Sequence, residues 1–290
     1  MHYQILTTHP SKDYELIDSG GGYKLERYGL YTLKRPDPEA LWRPTLPSRV
    51  WDEADASFVR QGKKVIWQIN RPLPEKWGVS FGGLRFYIKP TAFKHTGLFP
   101  EQESNWSWVR EKIRKAKRPI AVLNLFAYTG GATLAALKAG ATVCHVDASK
   151  KAVGWARENA ELSGLSGKSV RWVVDDVLAF LTREVKRGHH YDGIVMDPPA
   201  FGYGPKDELW KIEDDFSKLV HAIDGALSKQ PLFVLMSGYA SGYSALTYEN
   251  NLLPLVSRYG GTIERGELAL EESKSKRLLP AGIFARWSSA

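Results

Sequence analysis

The sequence is short of cysteine and of long apolar runs. Cys144 is the only cysteine in 290 residues, which excludes an internal disulfide and suits a reducing compartment. No apolar run approaches the roughly 20 residues that a membrane-spanning helix needs. The N-terminal stretch MHYQILTTHPSKDYEL contains no apolar signal core. We therefore expect a soluble, cytoplasmic protein that does not enter a membrane.

Basic charge, in contrast, is plentiful. The chain has 40 Lys+Arg and 32 Asp+Glu, which gives a formal net charge of +8. This excess suits a polyanionic partner, and RNA is the partner we expect. A basic protein with a solvated surface and a small substrate is the competing interpretation. Hydrophobic residues make up 43% of the chain, which is ample for a folded core.

Residues 1–94 are predicted to form a small β-rich domain that faces a substrate. Strands are expected at residues 65–70 and 84–89, joined by the turn-rich connection RPLPEKWGVSFGG. The segment carries 15 Lys+Arg against 10 Asp+Glu. Its tryptophans are either the core of a small domain or stacking platforms for bases, and the first interpretation is favoured. They are Trp42, Trp51, Trp67 and Trp77.

The next segment, from Lys94 to Arg118, combines a turn with a helix. HTGLFPEQ is typical of a turn, and residues 104–117 show helical periodicity with Ser104 as the expected N-cap. Basic side chains at the end of that helix form either a phosphate-binding patch or a solvated helix end. They are Lys112, Arg114, Lys115, Lys117 and Arg118.

Residues 95–290 are predicted to form a second domain around a mostly parallel sheet. Buried strands that lead into a glycine turn or an acid are indicated by IAVLNLF, ATVCHVD, SVRWVVDD and YDGIVMDPP. Helices are expected between them at residues 132–139, 150–163 and 177–186. This order predicts a Rossmann-like α/β fold. Open sheets of this kind bind ligands at the carboxyl ends of their strands, where the polar groups lie here.

The glycine turn argues against a dehydrogenase on this topology. Dinucleotide-binding enzymes normally show G-x-G-x-x-G after the first strand, and AYTGGATLAAL lacks that spacing. Such enzymes also have no need of Asp-Pro-Pro after the fourth strand. Asp147, at the end of the second strand, is suited to accept hydrogen bonds from both hydroxyls of a ribose.

These motifs resemble those of class I S-adenosylmethionine-dependent methyltransferases, within the branch that contains the base methyltransferases of large-subunit ribosomal RNA. The resemblance rests on HTGLFPEQ, NLFAYTGG, HVDAS, VDDVLAFL, DPPAFG and the closing segment GELALEESKSKRLLPAGIFARW. It implies a Rossmann-like methyltransferase sheet with an antiparallel final strand. It also implies S-adenosyl-L-methionine as the cofactor. No metal ligands are predicted.

The resemblance places the cofactor along the sheet edge and against the preceding turn. Asp147 is expected to hold the ribose hydroxyls. Asp176 is expected to meet the adenine amino group, with Asp175 as a competing choice that otherwise caps a helix. Phe126 has strand core as an equal alternative. The predicted cofactor residues are Thr96, Phe99, Gln102, Phe126, Ala127, Tyr128, Gly130, Asp147, Ala148, Ser149, Asp176, Val177 and Asp197.

Catalysis is assigned, again by resemblance, to the turn after the fourth strand. Methyl transfer is an in-line displacement that needs a positioned nucleophile and a destination for its proton. Asp197 and the adjacent carbonyls are suited to accept hydrogen bonds from a base, and prolines stiffen the turn. Phe201 either stacks on the base or has a capping or core role. The predicted catalytic residues are Asp197, Pro198, Pro199 and Phe201.

A cysteine is missing from the fifth strand. Relatives that make 5-methylcytosine need a thiolate there to add to the ring first. Ser237, Gly238 and Tyr239 occupy that place, and Cys144 lies inside the second strand. Methylation of a guanine or adenine nitrogen, which needs no covalent intermediate, is therefore expected.

The expected function is an S-adenosylmethionine-dependent methyltransferase that modifies a base nitrogen in RNA, with ribosomal RNA as the first candidate. One alternative is a methyltransferase that acts on a small molecule or a protein. Another is a non-catalytic RNA-binding protein that retains the cofactor fold. Residues 201–216 are expected to form a loop that acts as a mobile lid and leads into a helix at residues 209–227.

Overall fold

The chain divides into two compact units. The computed structural model describes residues 3–62, 64–92, 94–239 and 242–289. The larger unit comprises Met1–Leu6, Ser104–Glu267 and Gly282–Ala290, and the smaller one comprises Thr7–Glu103 and Leu268–Ala281. The division of the chain into domains at residue 94 stays a proposal.

The first part of the chain is rich in strands, as its glycine-broken alternating pattern predicts. The strands are β1 Tyr3–Thr8, β2 Tyr14–Gly20, β3 Tyr23–Tyr28, β4 Tyr31–Pro36, β5 Ala56–Gln61, β6 Lys64–Ile69, β7 Trp77–Phe81 and β8 Leu84–Ile88. A short helix, α1 Ser48–Asp52, lies between β4 and β5, and a 3-10 turn spans Pro100–Gln102. The smaller unit contains a five-stranded sheet, β2-β3-β4-β5-β6, and a β7–β8 hairpin.

The remaining elements alternate between helix and strand up to the last two strands. The helices are α2 Glu103–Lys115, α3 Gly131–Ala139, α4 Lys150–Leu162, α5 Val177–Lys186, α6 Ile212–Ala226 and α7 Ala245–Tyr259. The strands are β9 Ala121–Leu125, β10 Thr142–Asp147, β11 Val170–Val174, β12 Gly193–Met196, β13 Phe201–Tyr203, β14 Leu209–Lys211, β15 Phe233–Gly238, β16 Thr262–Glu271 and β17 Leu278–Ser288.

An eight-stranded sheet has the order β1-β16-β17-β15-β12-β9-β10-β11. Strands β10, β9, β12 and β15 pair in parallel, as does β11 with β10, whereas β17 runs antiparallel to β15. The predicted fold class is thereby confirmed. The reversal of strand order beside β9 places the carboxyl ends of β9 and β12 next to each other, where such sheets bind ligands.

The apolar runs that predicted these strands form the main hydrophobic core. Leu123 and Leu125 of β9, and Ile194 and Met196 of β12, are each fully buried. The central strands β9 and β12 are covered on both faces, so their sequences are largely apolar and not alternating. None of the helices in the described part of the chain is long and apolar enough to cross a membrane.

The tryptophans of the smaller unit have structural roles. Trp51 and Trp77 are buried, and their indole nitrogens donate to Asp18 (3.1 Å) and to the Tyr28 carbonyl (2.9 Å). The indole nitrogens of Trp42 and Trp67 also donate to backbone carbonyls of this unit. This agrees with the favoured interpretation of these residues as core and support.

Local predictions were wrong at three places. The connection RPLPEKWGVSFGG contains strand β7. Ser104 lies within α2, because the helix continues directly from the 3-10 turn at Pro100–Gln102, and it is therefore not the N-cap. The expected lid loop at residues 201–216 contains the β13–β14 hairpin, after which α6 begins at Ile212 and not at residue 209.

Candidate functional site

The turn after β9 adopts an unusual backbone conformation. Phe126, Tyr128 and Gly130 have φ values of 53°, 47° and 90°, in the left-handed region that favours glycine. For Phe126 and Tyr128 this conformation costs free energy, and such strain concentrates at ligand sites. The turn is held by a hydrogen bond from the Ala127 amide to the Val146 carbonyl (3.1 Å). The buried amide of Asn159 donates to the Thr129 carbonyl (2.9 Å) and also fixes the turn.

Asp147 joins this turn to the next helix. One carboxylate oxygen accepts from the Tyr128 amide and the other from the Ser149 amide, each at 2.8 Å. Burial raises the pKa of Asp147, and the two backbone amides oppose that rise. Each oxygen keeps acceptor capacity beyond its backbone partner. The structure therefore brings Tyr128, Asp147 and Ser149 together, with Ala148 between the last two, around a carboxylate suited to hydroxyl donors.

Ser149 also has a local structural role. Its side-chain oxygen accepts from the Ala152 amide at 3.2 Å and caps α4, as expected from sequence. The Ser149 hydroxyl and the Ser149 backbone amide thus both have partners within the protein, the Ala152 amide and the Asp147 carboxylate.

Asp176, and not Asp175, caps the helix that follows β11. Asp176 is the N-cap of α5 and accepts from the Ala179 amide at 2.8 Å, whereas Asp175 pairs with Arg183. Capping had been offered as the alternative role of Asp175. The Asp175 amide donates to the Asp147 carbonyl (3.2 Å), which links the ends of β10 and β11. The Val177 side chain is buried in the core.

Trp210 connects the glycine turn with the Asp-Pro-Pro turn. Its ring lies 4.9 Å from the ring of Phe126, between centroids, and its indole nitrogen donates to the Pro199 carbonyl at 2.7 Å. The side chain of Phe126 therefore packs against the core, which supports the structural alternative stated for it. The Ile212 amide donates to the Ala200 carbonyl (3.0 Å) and also anchors the segment after Pro199.

Asp197 lies just beyond β12, facing the end of β15. Burial raises its pKa to about 6, and a hydrogen bond from the Ser237 side chain partly opposes that rise. Strands β12 and β15 are in register at Met196 and Met236, which places Asp197 and Ser237 side by side. A carboxyl group with a pKa near neutrality is suited to exchange a proton at physiological pH.

The remaining residues of the Asp-Pro-Pro turn differ in exposure. Pro198 is buried and Pro199 is exposed. Phe201 is 53% exposed and contacts Tyr203 edge-on, with the ring centroids 5.1 Å apart. An exposed aromatic ring shortly after Asp197 in the chain is available to stack on a planar base, and the core alternative for Phe201 does not apply.

Glycine in the turn serves packing as well as conformation. A Cβ on Gly131 would lie 2.2 Å from the indole of Trp106, so this position accommodates the tryptophan. A Cβ on Gly130 would lie 3.0 Å from Leu134 and 3.1 Å from Ala156. Close packing of helices α2 and α4 against the turn thus explains both residues without a ligand.

Thr96, Phe99 and Gln102 belong to the smaller unit. Thr96 is buried, and its carbonyl accepts from the Lys89 amide at 3.2 Å. The segment is anchored by Arg35, which donates to the Lys94 carbonyl (3.0 Å) and forms a buried ion pair with Glu26. The assignment of these three residues to a cofactor stays a prediction.

The basic end of α2 is largely engaged within the larger unit. Lys112 donates to the Ser288 hydroxyl at 2.8 Å, and Arg118 pairs with Asp192 at 2.9 Å. Lys115 pairs with Glu111. These contacts support a structural role for most of the predicted patch. Arg114 and Lys117 are exposed.

Three supporting residues were missed from sequence: Ser237, Trp210 and Asn159. Ser237 was noted only as the place of a missing cysteine, although a hydroxyl at the end of a strand neighbouring Asp197 is a recognisable signal. The sequence gives no comparable signal for Trp210 and Asn159. Their side chains bond to backbone carbonyls, and every residue has a carbonyl.

The hydrogen-bond acceptors at this edge of the sheet suit a nucleoside ligand. Asp147 is the last residue of β10, and Asp176 follows the neighbouring strand β11. The Asp147 carboxylate also contacts the left-handed turn after β9. Acceptors at these two places match ribose hydroxyls and an exocyclic amino group.

Comparison with known proteins agrees with this geometry. A family model described as S-adenosylmethionine-dependent methyltransferase matches residues 56–228, more than half of the chain. A solved structure from Agrobacterium tumefaciens, described as a SAM-dependent methyltransferase, superposes with a TM-score of 0.94 and 40% identity. That match covers 99% of this chain and 94% of the other.

Curated relatives match a smaller share. Ribosomal RNA large subunit methyltransferase K/L of Syntrophotalea carbinolica is 40% identical over 128 residues, which is 44% of this chain and 17% of the relative. Ribosomal RNA large subunit methyltransferase K of Neisseria meningitidis serogroup B is 33% identical over 151 residues, 51% of this chain and 41% of the relative. The chain therefore spans less than half the length of these two relatives.

Proposed function

The chain belongs to the S-adenosylmethionine-dependent methyltransferase family, and we propose on that premise that it methylates a nitrogen of a base in RNA, with ribosomal RNA as the first candidate. The observation that carries the proposal is the position of Asp197 at the strand edge that also bears Asp147. Through the register of β12 on β9, this carboxyl group of raised pKa lies beside Phe126, at the start of the predicted cofactor turn.

S-adenosylmethionine is the cofactor of this family. In the proposal, Asp147 accepts hydrogen bonds from the ribose hydroxyls and the second acid, Asp176, faces the adenine. The backbone of Phe126, Ala127, Tyr128 and Gly130, with Ala148, Ser149 and Val177, forms the surrounding wall. Thr96, Phe99 and Gln102 are proposed to meet the amino-acid end.

The cofactor supplies a methyl group on a positively charged sulfur. Transfer to a base nitrogen would need that nitrogen held in line with the methyl carbon and the sulfur that leaves. We assign that task to Asp197, which accepts a hydrogen bond from the N–H group and can take up the proton that nitrogen releases. Pro198 and Pro199 stiffen the turn, and Phe201 stacks on the base.

Nitrogen is favoured over the cytosine C5 carbon because that carbon must first be activated by a thiolate. The sequence has one cysteine, Cys144, and it is buried in β10, where burial raises the pKa of its thiol. A buried thiol of raised pKa is a poor nucleophile. In β15, where such a cysteine would be expected, the hydroxyl of Ser237 donates a hydrogen bond to Asp197.

RNA is favoured by the names of the curated relatives and by charge. The hairpin of β5 and β6 is basic: Arg60 and Lys64 are exposed, and the stretch from Arg60 to Arg71 contains no acid. We propose that residues 1–94 form the substrate-facing module and that residues 95–290 form the catalytic domain. A cytoplasmic location is part of the proposal.

The proposal is tested with purified protein, labelled S-adenosylmethionine and RNA that lacks the modification. We expect cofactor binding by calorimetry and label transfer to RNA, lost in Asp197→Ala with the fold intact. RNA affinity should fall steeply as salt rises, and less steeply in the double variant Arg60→Glu, Lys64→Glu. Cofactor binding without salt-sensitive RNA binding would point to a small-molecule or protein substrate. Absence of cofactor binding would leave a non-catalytic protein and contradict the proposal.

A further inference from the structure

Tyr248 of α7 has a buried hydroxyl with no hydrogen-bond partner among the described residues. The side chain is 1% exposed, and its ring stacks on Phe216 with centroids 5.3 Å apart. Leaving a buried hydroxyl without a partner is energetically unfavourable. Phenylalanine would fill the same space without that cost, so the hydroxyl calls for an explanation beyond packing.

The hydroxyl lies at the end of β15. A Cβ on Gly238 would lie 2.3 Å from the Tyr248 oxygen, so glycine is needed at this place for the hydroxyl to fit. The preceding residue, Ser237, bonds to Asp197. Two polar side chains from different elements, Ser237 and Tyr248, thus converge on the strand ends where Asp197 is held.

The electrostatic environment makes this hydroxyl a donor. Burial, followed by the charges of Asp197 and Tyr243, raises the pKa of Tyr248, so the hydroxyl keeps its proton at physiological pH. Tyr243 precedes α7 and interacts with Glu213 of α6. Among the described residues, these are the titratable groups that influence the Tyr248 hydroxyl.

We propose that Tyr248 is a positioning residue that acts through Asp197. Its hydroxyl points its proton toward the Asp197 carboxylate, favours the ionised form and keeps it oriented toward the target nitrogen. Apo hydrogen bonds of catalytic groups are often long and shorten in the substrate complex, so the missing partner becomes Asp197 when the base binds. The catalytic part of this inference rests on the proposed function.

The closing experiment has a readout that needs no substrate. Protein labelled with carboxyl-13C aspartate is titrated by NMR, with Asp197→Asn used to assign the Asp197 signal. Tyr248→Phe should raise the Asp197 midpoint by roughly half to one pH unit, because a donor to the charged form is lost. Ser237→Ala should raise it as well. Tyr259→Phe, on the same helix but packed against Trp287, should leave it unchanged.

Methyl transfer then tests the catalytic consequence. Tyr248→Phe should lower kcat roughly threefold or more at pH 6.5 and less at pH 8.5, with KM for S-adenosylmethionine unchanged. An Asp197 midpoint and a pH–rate profile that are both the same as in the wild type would overturn the inference. A wild-type protein that transfers no methyl group to RNA would instead count against the proposed function, while the NMR titration still decides the effect of Tyr248 on Asp197.

Discussion

The indole nitrogen of Trp210 donates to the carbonyl oxygen of Pro199 at 2.7 Å. This bond ties the β13–β14 hairpin to the proposed catalytic turn, and the same indole ring packs against Phe126 of the cofactor turn. One buried side chain therefore positions both halves of the candidate site. The Pro199 carbonyl is also partly occupied by this bond, so Asp197 carries more of the task of receiving the base.

Trp210→Phe tests this arrangement, because it keeps most of the ring packing and removes the donor. We expect a roughly tenfold loss of kcat and a change of less than about threefold in cofactor affinity. Steady-state kinetics and calorimetry measure the two effects. Trp172→Phe, which alters a ring packed against His145, is the matched control. A variant with unchanged kcat would show that the Pro199 bond does not position the turn.

Asp147→Asn should weaken cofactor binding at least about tenfold. Both carboxylate oxygens accept from backbone amides, and an asparagine NH2 group would face one of those donors without a bond. Calorimetry with S-adenosylmethionine measures the loss. Asp175→Asn removes only the pair with Arg183 and is the control. Equal affinity in wild type and Asp147→Asn would move the ribose contact away from Asp147.

The sequence predicts some elements and residues of the candidate site and not others. Continuous apolar runs predicted β9, β10 and β12, and the residues at the end of each strand predicted that Phe126, Asp147 and Asp197 lie along one edge of the sheet. Strand β7 was missed because its residues are flanked by glycine, proline and charge, which resemble a turn. The contacts of Trp210 and Tyr248 depend on how helices and hairpins fold back, and local periodicity carries no such information.

The acids after β11 show the limit of motif reasoning at single-residue precision. Asp175 and Asp176 are chemically identical, and either can precede a helix. The start of α5 at Val177 decides that Asp176 is the cap, and the packing of Arg183 decides that Asp175 forms an ion pair. Both facts follow from the register of the helix and not from residue type.

Asp197→Asn should make the protein more stable at neutral pH and inactive. Burial raises the pKa of Asp197 from 3.8 to about 6, so between these values the folded state holds a proton that the unfolded state has released. The free energy of unfolding therefore falls as pH rises through that window and stays lower above it. Removing the carboxylate should add up to about 2–3 kcal/mol at pH 8 and nothing near pH 4.

Denaturant unfolding of wild type and Asp197→Asn at pH 4 and pH 8 measures that difference. Glu161→Gln, at an exposed acid of helix α4, is a control for the loss of one negative charge. A stability gain of equal size at both pH values would mean that the cost of burying the Asp197 charge is not its source. A stability gain of Asp197→Asn at pH 8, together with its loss of activity, would be the usual relation between stability and function at active sites.

Gly131→Ala should destabilise the fold by about 1–3 kcal/mol, because its Cβ would meet the Trp106 ring at 2.2 Å. Gly154→Ala lies in helix α4 with no neighbouring atom within 4 Å and should stabilise by about 0.5–1 kcal/mol. Thermal or denaturant unfolding compares the two. If Gly131→Ala were neutral, the close approach of Trp106 to the cofactor turn would be in error.

In the proposed function, the sheet edge that bears Asp147 and Asp197 directs a methyl group to a base nitrogen in RNA. The most direct measurement is mass analysis of nucleosides from RNA incubated with wild-type protein and deuteromethyl S-adenosylmethionine, beside Asp197→Ala. Wild type should leave label in one N-methylated guanosine or adenosine, and Asp197→Ala should leave none. Label in 5-methylcytidine, or equal label with both proteins, would contradict it.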